Sequence, residues 1–279
     1  MATPALRHES SPLIHRRSLL AAAAAALLAP AAHAQGAADG PMQHYIMIDV
    51  QPSADLLAVD RWYITHHAPE TRARTQGAQT RYVSYRTYAV TDAEAARFNM
   101  ARGRMTEIAF DSVAAFRAGI TPQARARVAI TPPPAQAAFT TDTVTMRTTP
   151  TRRWKDEPTP SHEAPYVRWI MFLRPPESVA EAAFDAWIED TLGPALATAA
   201  QTRRVLLFRR IEAVPSQTFT HTLEVWFESM DDWRVAAAAF EANTPAPAWG
   251  GVFPYADMRS CLIGERPDLD FRIDTRVSP

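Results

Sequence analysis

The sequence predicts an α+β fold made of two similar βαββαβ units. One observation is that two blocks of sequence occur twice in the same order, and another is that both halves show the same succession of strand and helix patterns. Residues 59–69 return as residues 184–194, with Asp, Trp and Pro at matching positions. Residues 107–117 return as residues 224–234, with Glu, Phe, Ser and Arg at matching positions. Ordered repetition of this kind indicates a duplicated domain.

The first half reads as strand, helix, strand, strand, helix, strand. Strands are predicted where Tyr, Val, Ile and Thr are enriched, and helices where apolar residues recur at three- and four-residue spacing. Ser53 is the expected N-cap of the first helix. Pro69 should end that helix near His67, because proline disfavours helical geometry at the preceding residue. The predicted elements are strand 44–50, helix 53–67, strand 81–88, a helical turn at 93–98, strand 102–110, helix 112–120 and strand 139–147.

The second half repeats this order, which is the ferredoxin-like supersecondary pattern. A βαββαβ unit covers only one face of its sheet with helices, so the other face must be buried against something else. Packing the two sheets face to face within one chain predicts an intramolecular form of the dimeric α+β barrel. The predicted elements are strand 166–173, helix 179–199, strand 204–214, strand 219–227, helix 230–242 and strand 258–264.

The N-terminal residues have the features of an export signal. Adjacent Arg16 and Arg17 precede a short alanine-rich apolar run, which ends in an A-x-A site at residues 32–34. The arginine pair favours the twin-arginine route, with an ordinary secretory signal as the alternative. The expected location is periplasmic or secreted. The predicted organisation is an export signal at 1–34, a first repeat at 42–149, a Pro-rich linker at 150–165, a second, degenerate repeat at 166–266 and a C-terminal tail at 267–279.

Composition narrows the classes of partner. The formal net charge is −1, and no long basic run follows the leader, so no electrostatic surface for nucleic acid is expected. No later segment is apolar enough for a membrane helix.

The single cysteine, Cys261, lies in a strand-like run and is expected to be a small buried hydrophobe. No metal site is expected, because the sequence lacks zinc-ligand spacing. The expected partner is a small aromatic or lactone-like molecule, within a single-chain pseudo-dimer for which further homo-oligomerisation stays open.

One segment of the first repeat resembles a known family. Residues 62–69 read Trp-Tyr-Ile-Thr-His-His-Ala-Pro, which resembles the H-A-P region, with its preceding tryptophan, of EthD-like proteins of the dimeric α+β barrel superfamily. The resemblance extends to residues 107–112 and covers the second repeat only as a degenerate copy. It implies a pocket between sheet and helices, no cofactor, and acid–base work by the histidine of the motif. That role carries over only onto His67, because Leu192 stands at the matching position of the second copy.

The residues themselves are compatible with this role. A histidine near neutral pKa can take up and return a proton, and Tyr63 lies four residues from His67 on the same helical face. The alternative is that His67 caps a helix C-terminus, where a partly positive imidazole meets the helix dipole favourably. The candidate catalytic residues are His67 and Tyr63, and the candidate substrate-binding residues are His66, Tyr82, Tyr85 and Arg81.

Other matching positions favour structural roles. His221 takes the place of Arg104 in the third strand, and each would either line a pocket or lie in the seam between the sheets, which is the preferred interpretation. Glu107 and Glu224 match on the opposite face, where pairing with an arginine across the sheets is expected. The matching tryptophans Trp62 and Trp187 are expected in the core. These matching positions therefore support the predicted fold more strongly than they support a catalytic role.

Three functions remain open at this point. The leading hypothesis is an exported, cofactor-free lyase, isomerase or oxygenase, in which His67 moves a proton and Tyr63 or Tyr82 orients a small cyclic or aromatic substrate. The second is a periplasmic small-molecule binding or scaffolding protein without turnover. The third is a haem-binding α+β barrel protein, with His67 or His221 as the iron ligand, although the G-x-x-D-G loop of dye-decolorising peroxidases is missing.

Overall fold

The structure is a computed structural model that describes most of the chain after residue 39. The predicted export signal at 1–34 lies outside the described residues, as do residues 157–164 of the predicted linker and 272–279 of the predicted tail. No helix within the described part is long and apolar enough to cross a membrane. The described residues are 40–75, 78–135, 137–156, 165–211, 217, 219–251, 253, 255 and 257–271.

The first half has the predicted order of elements, with one additional short helix. Its first helix is capped by Asp55, whose carboxylate accepts a hydrogen bond from the Ala58 N–H at 3.0 Å, and not by Ser53 as predicted. The strands are β1 (Met42–Val50), β2 (Gln79–Arg86), β3 (Gly103–Phe110) and β4 (Phe139–Arg147). The helices are α1 (Leu56–Trp62), α2 (Ala68–Thr75), α3 (Asp92–Arg97), α4 (Val113–Gly119) and the additional α5 (Pro122–Ala126).

The second half repeats that order and adds a strand at each end. The predicted strand 204–214 is described only to residue 211, and its regular part ends at Arg209. The strands are β5 (Arg152–Asp156), β6 (Val167–Leu173), β7 (Arg204–Arg209), β8 (His221–Phe227), β9 (Met258–Gly264) and β10 (Leu269–Asp270). The helices are α6 (Glu181–Trp187), α7 (Gly193–Thr198) and α8 (Met230–Asn243).

The strands form two five-stranded antiparallel sheets that face each other. Their orders are β10-β2-β3-β1-β4 and β5-β7-β8-β6-β9. Apolar side chains of both sheets share one buried cluster, for example Tyr45 and Met47 of β1 with Ile170 and Phe172 of β6. Each sheet packs its other face against helices in a separate cluster, and the cluster of the second sheet also includes Ala95 and Phe98 from the α3 segment of the first repeat. This confirms the predicted α+β fold, an intramolecular dimeric α+β barrel.

Segments assigned to the linker and the tail form edge strands. β5, from the predicted linker, pairs with β7 of the second sheet, while β10, from the predicted tail, pairs with β2 of the first sheet. Each repeat therefore sends the chain that follows it to the sheet of the other repeat. These pairings cover two otherwise exposed sheet edges, which explains why short, charged segments adopt extended structure.

Pro69 does not end the first helix, contrary to the prediction. A π-helical turn, Tyr63–His67, joins α1 to α2, and the Ala68 N–H donates to the carbonyl of Tyr63. The second repeat has the same feature, a π-helical turn at Ile188–Leu192 before Pro194. The wider turn accommodates a proline, which lacks an N–H and would clash with a carbonyl of a regular helix. The presence of the π-helical turn in both repeats indicates that it has a structural role.

A buried charge cluster joins the two sheets. Arg168 of β6 lies 2.8 Å from a Glu107 carboxylate oxygen of the opposite sheet and donates to Glu224 of its own sheet at 3.1 Å. The hydroxyl of Tyr45, from the first sheet, donates to Glu224 of the second sheet at 2.8 Å. Arg168, Glu107 and Glu224 are 6%, 3% and 2% exposed. The predicted pairing with an arginine across the sheets is confirmed for Glu107, whereas Glu224 pairs with the same arginine within its own sheet.

Candidate functional site

His67 lies within a continuous helix. Its ring centroid is 4.8 Å from that of Trp62 and 5.4 Å from that of Tyr63. The Nδ1 atom is buried and has no hydrogen-bond partner among the described residues. Burial lowers the pKa of His67, although the charge of Glu70 opposes this shift. The imidazole is therefore neutral near pH 7.

The interpretation of His67 as a C-terminal helix cap is wrong. The π-helical turn carries the helix onward into α2, which ends eight residues later at Thr75. A cap needs free carbonyl groups in the last turn of a helix, and those lie far from His67. The function of His67 as a catalytic residue stays a prediction.

His66 points away from the sheet and is exposed. Its Nδ1 atom lies 3.9 Å from Glu70, and such a solvent-exposed contact contributes little to stability. Together with Trp62 and Thr131 it lines an open cavity of about 350 Å³ on the outer side of the helix. The structure thus places His66 and His67 on different sides of the same turn.

Tyr63 and Tyr82 come together between the first sheet and its helices. Their hydroxyl groups are 2.9 Å apart, and the Tyr63 hydroxyl is also 2.5 Å from that of Thr106. Burial raises the pKa of Tyr82 well above its ordinary value, so its hydroxyl stays protonated. Ser84 extends the network, 3.2 Å from Thr106, and accepts a hydrogen bond from Arg104 at 3.0 Å. The predicted pocket between sheet and helices is therefore filled here by the protein's own polar side chains.

Tyr85 and Arg81 lie on the opposite face of β2, between the sheets. Both approach Glu107, the tyrosine hydroxyl at 3.4 Å and the Arg81 guanidinium at 3.2 Å. Burial, and next the charge of Glu107, raise the pKa of Tyr85 to about 12. These two predicted substrate-binding residues are thus separated by a sheet from Tyr63, Tyr82 and His67.

Arg104 and His221 face the helices, so their preferred assignment to the seam between the sheets is wrong. Arg104 pairs with Asp60 of α1, and its Nη2 atom lies 2.8 Å from both carboxylate oxygens of Asp268. The Nε2 atom of His221 lies 2.8 Å from Asp185, which holds the place of Asp60 in α6. The matching aspartates thus fix the third strand of each sheet to the first helix.

We expect His221 to make the protein less stable in acid. Burial, reinforced by neighbouring arginines, lowers its pKa to about 3. Between that value and the usual 6.5, the unfolded chain binds a proton that the folded protein does not, so stability falls as pH falls. The expected slope from this residue is at most about 1.4 kcal/mol per pH unit, because Asp185, 2.8 Å from the Nε2 atom, favours the protonated imidazole.

Urea unfolding of the wild type and of His221→Gln at pH 7, 6 and 5 measures this effect. The variant should show a shallower fall in unfolding free energy, while His44, whose pKa burial lowers to about 4, remains in both proteins. Parallel pH profiles for the two proteins would contradict the assignment.

The second repeat contains an aromatic cavity of about 350 Å³. Phe184 and Trp187 of α6 form one wall, and Trp249 and Tyr255, from the loop between α8 and β9, form the other. The Trp249 ring centroid is 5.5 Å from that of Trp187 and 6.0 Å from that of Phe184, while Tyr255 lies 5.0 Å from Trp187. Leu173, at the end of β6, adds an aliphatic contact. We call this space the aromatic cavity.

Backbone geometry explains how the loop presents Trp249. Gly250 and Gly251 have φ values of +89° and +98°, a region that side-chain-bearing residues rarely occupy. This allows the chain to turn sharply after Trp249 and to return with Tyr255 against the same space. Trp249 is only partly buried, as expected for one wall of an accessible cavity.

The corresponding region of the first repeat is arranged differently. Trp62 holds the position of Trp187, and its Nε1–H donates to the carbonyl of Thr131 at 2.9 Å. The Glu70 carboxylate also accepts a hydrogen bond from the Thr131 backbone N–H at 2.7 Å. In the second repeat the Trp187 Nε1 atom has no hydrogen-bond partner among the described residues. The Thr131 segment thus binds the ring nitrogen of Trp62, which lines the open cavity beside His66, whereas Trp187 lines the aromatic cavity.

The charged groups of the aromatic cavity neutralise each other. Arg174 and Asp257 both line it and form an ion pair at 2.9 Å. Tyr255 is the remaining titratable lining residue, and burial raises its pKa, so it stays neutral. This environment favours a neutral or weakly polar ligand with flat apolar faces.

The aromatic cavity was not predicted from the sequence, because the matching tryptophans were expected only to be part of the core. Trp62 and Trp187 match between the repeats, and both are buried as expected. The match concealed the fact that Trp187 also lines a cavity. The available signal was the run Trp-Gly-Gly-Val-Phe-Pro-Tyr at residues 249–255, where aromatic residues alternate with turn-forming ones.

Two further findings bear on the chemistry. No group of three His, Cys, Asp or Glu residues in the described ranges is arranged to hold a metal ion. Cys261 is buried, and burial raises its pKa to about 12, so the thiol is not a reactive nucleophile.

No protein-family profile matches the sequence, and no curated protein matches it in sequence. Among solved structures, an anthrone oxidase-like protein is similar over 81% of this chain and 91% of its own, with 10% identity and a TM-score of 0.48. A variant of chlorite dismutase from Candidatus Nitrospira defluvii, in complex with cyanide, matches over 82% and 92%, with 10% identity and a TM-score of 0.44. The assignment of the fold rests on the strand order and sheet packing described above.

Proposed function

We propose that this protein binds a small planar aromatic compound in the aromatic cavity. The observation that carries this proposal is the arrangement of Phe184, Trp187, Trp249 and Tyr255 around about 350 Å³ of space. Ligand cavities in proteins are commonly of at least this size, and they are lined mainly by apolar and aromatic side chains. Ring faces and edges at these spacings offer stacking and edge contacts to a flat ligand.

Trp249→Ala should weaken binding of an aromatic probe strongly. The substitution removes one wall of the cavity, and the lost apolar and stacking contact is worth about 1.5–3 kcal/mol. This corresponds to an increase in Kd of roughly tenfold to a hundredfold. Calorimetric titration with 1-naphthol and with coumarin, an aromatic lactone, measures the change.

Val235→Ala is the matched control, because Val235 is an exposed apolar residue of α8, in the same repeat but outside the aromatic cavity. Its Kd values should equal those of the wild type. The proposal fails if neither probe binds the wild type, or if Trp249→Ala binds them as tightly. Mass spectrometry of the titrated mixtures then separates binding alone from turnover, since turnover yields a product of different mass or retention.

Catalysis at His67 is the second candidate function. It is favoured by the buried Nδ1 atom without a described partner, in an imidazole that burial keeps neutral. Such a nitrogen can accept a proton at neutral pH. It ranks second because His67 does not line any of five cavities of 210–350 Å³ that the described residues form.

The catalytic candidate predicts turnover of 1-naphthol in air. His67 would remove the phenolic proton, and the phenolate would react with O2 to give 1,4-naphthoquinone and water. His67→Gln should lower the rate at least about a hundredfold, the usual contribution of a general base, with little change in melting temperature. Absence of quinone from both proteins, or equal rates, would rule the candidate out.

We also propose that the protein is exported and that it belongs to the EthD-like group. The arginine pair and the A-x-A site within residues 1–34 support export to the periplasm or beyond. The segment at residues 62–69 supports membership in the EthD-like group, with the second repeat specialised for ligand binding.

A further inference from the structure

A second cavity, of about 280 Å³, lies in the first repeat between the start of α1, the residues after β2 and the start of β3. Its walls include Leu56, Leu57 and Tyr88, whose exposed fractions are 49%, 73% and 38%. These are three of the five large hydrophobic side chains that are exposed among the described residues. Exposed apolar side chains grouped at one concavity are typical of a binding surface. We call this space the arginine cavity, after Arg86 and Arg102 in its wall.

The charged lining of the arginine cavity contains two arginines and one aspartate, and Asp268, outside the lining, also pairs with Arg86. Its charged members are Arg86, Arg102 and Asp60. Asp60 is buried and already pairs with Arg86 and with the buried Arg104. Arg102 pairs instead with Asp92, whose side chain is 95% exposed and lies outside the lining. Such an exposed ion pair contributes little, so a ligand carboxylate can displace Asp92 from Arg102.

Backbone hydrogen bonds hold the walls of the arginine cavity in place. The Tyr88 N–H donates to Leu262 of the second sheet at 2.8 Å, and the Thr87 N–H donates to Gly103 at 3.0 Å. The Arg102 N–H donates to the Asp49 carboxylate at 2.9 Å. A ligand therefore meets a preformed surface and does not have to order it, which favours affinity.

We propose that the arginine cavity binds a small amphiphilic carboxylate. The apolar part of the ligand lies against Leu56, Leu57 and Tyr88, and its carboxylate accepts hydrogen bonds from Arg102. This site is separate from the aromatic cavity of the second repeat, and it does not depend on the function proposed there.

Calorimetric titration with octanoate, 1-octanol and octylammonium tests this proposal. Octanoate should bind about tenfold more tightly than octanol, because a charge-assisted hydrogen bond is added, and octylammonium should bind most weakly. Arg102→Gln should reduce the affinity for octanoate to that for octanol. Asp92→Asn should tighten octanoate binding about twofold, since it removes the competing carboxylate. Leu57→Ser should weaken all three ligands to a similar extent.

Arg203→Gln, which alters an exposed ion pair with Glu228 in the second repeat, is the matched control and should leave all three Kd values unchanged. Equal binding of octanoate and octanol would overturn the proposal, as would an Arg102→Gln protein that retains full affinity for octanoate. Binding to phosphatidylglycerol vesicles without binding to monomeric octanoate would also overturn it, because the surface would then contact lipid bilayers.

Discussion

Arg168→Met should lower the free energy of unfolding by about 3–5 kcal/mol, because it leaves Glu107 and Glu224 charged in the interior without their shared cation. Arg168 is the arginine of the cluster that contacts both glutamates, and all three side chains are almost fully buried. Arg81 approaches Glu107 but is 39% exposed at its side chain, so it compensates only in part. For a domain of this size the melting temperature should fall by roughly 10 °C.

Two further variants make this result specific. Arg234→Met removes an arginine that is 44% exposed and paired with Glu94, and it should change stability by less than about 1 kcal/mol. A triple variant, with Arg168→Met, Glu107→Gln and Glu224→Gln, should recover part of the loss, because no unpaired buried charge remains. An Arg168→Met protein within 1 kcal/mol of the wild type would show that the cluster is not the buried network described.

A chain that ends at Pro267 should be less stable than one that ends at Phe271 by about 5 kcal/mol. The shorter chain loses Leu269 and Phe271, which are 1% and 5% exposed and pack in the core of the first repeat. It also loses Asp268, which holds the buried Arg104 through two contacts of 2.8 Å. Burial of each apolar side chain contributes about 1.5–3 kcal/mol, and the ion pair adds to that.

Chemical denaturation of the two chains measures this difference, and the comparison isolates residues 268–271. Asp268→Asn in the full chain separates the ion pair from the apolar contacts, with an expected loss of about 1–3 kcal/mol. Equal unfolding midpoints for the two truncated chains would show that β10 does not stabilise the first sheet.

Repetition and periodicity were sufficient to predict the order of elements in both halves. Edge strands β5 and β10 were missed, because short segments such as Arg-Arg-Trp-Lys-Asp have no strand pattern of their own and become extended only by pairing with a sheet edge. The continuation of the first helix past Pro69 was missed because the proline rule describes regular helices. The π-helical turn relieves that constraint locally.

The faces of the sheets were not predictable from alternation. Strands β3, β6 and β8 are buried on both faces, since one face packs on helices and the other on the second sheet. Alternation therefore placed Arg104 and His221 on a common face without showing which face met the helices. The pairing of Glu107 and Glu224 with an arginine was predictable, because two acids at matching interior positions require a cation, but the pairing crosses the sheets only for Glu107.

The candidate site was likewise predictable from the sequence only in part. Tyr63 and Tyr82 were predicted as site residues and do meet, but in a closed network of hydroxyl groups. The kind of cavity that each matched tryptophan lines depends on the loop that covers it. Trp62 meets Thr131, whereas Trp187 meets Trp249 and Tyr255. Such loop conformations follow from tertiary contacts and leave no periodic pattern in the sequence.

The most direct test of the central claim is a crystal structure of the protein soaked with 1-naphthol. Ordered density for the naphthol ring system is expected in the aromatic cavity, between Trp187, Trp249 and Tyr255. Density for the ring beside His67, or between the two sheets next to Tyr85, with the aromatic cavity empty, would contradict it.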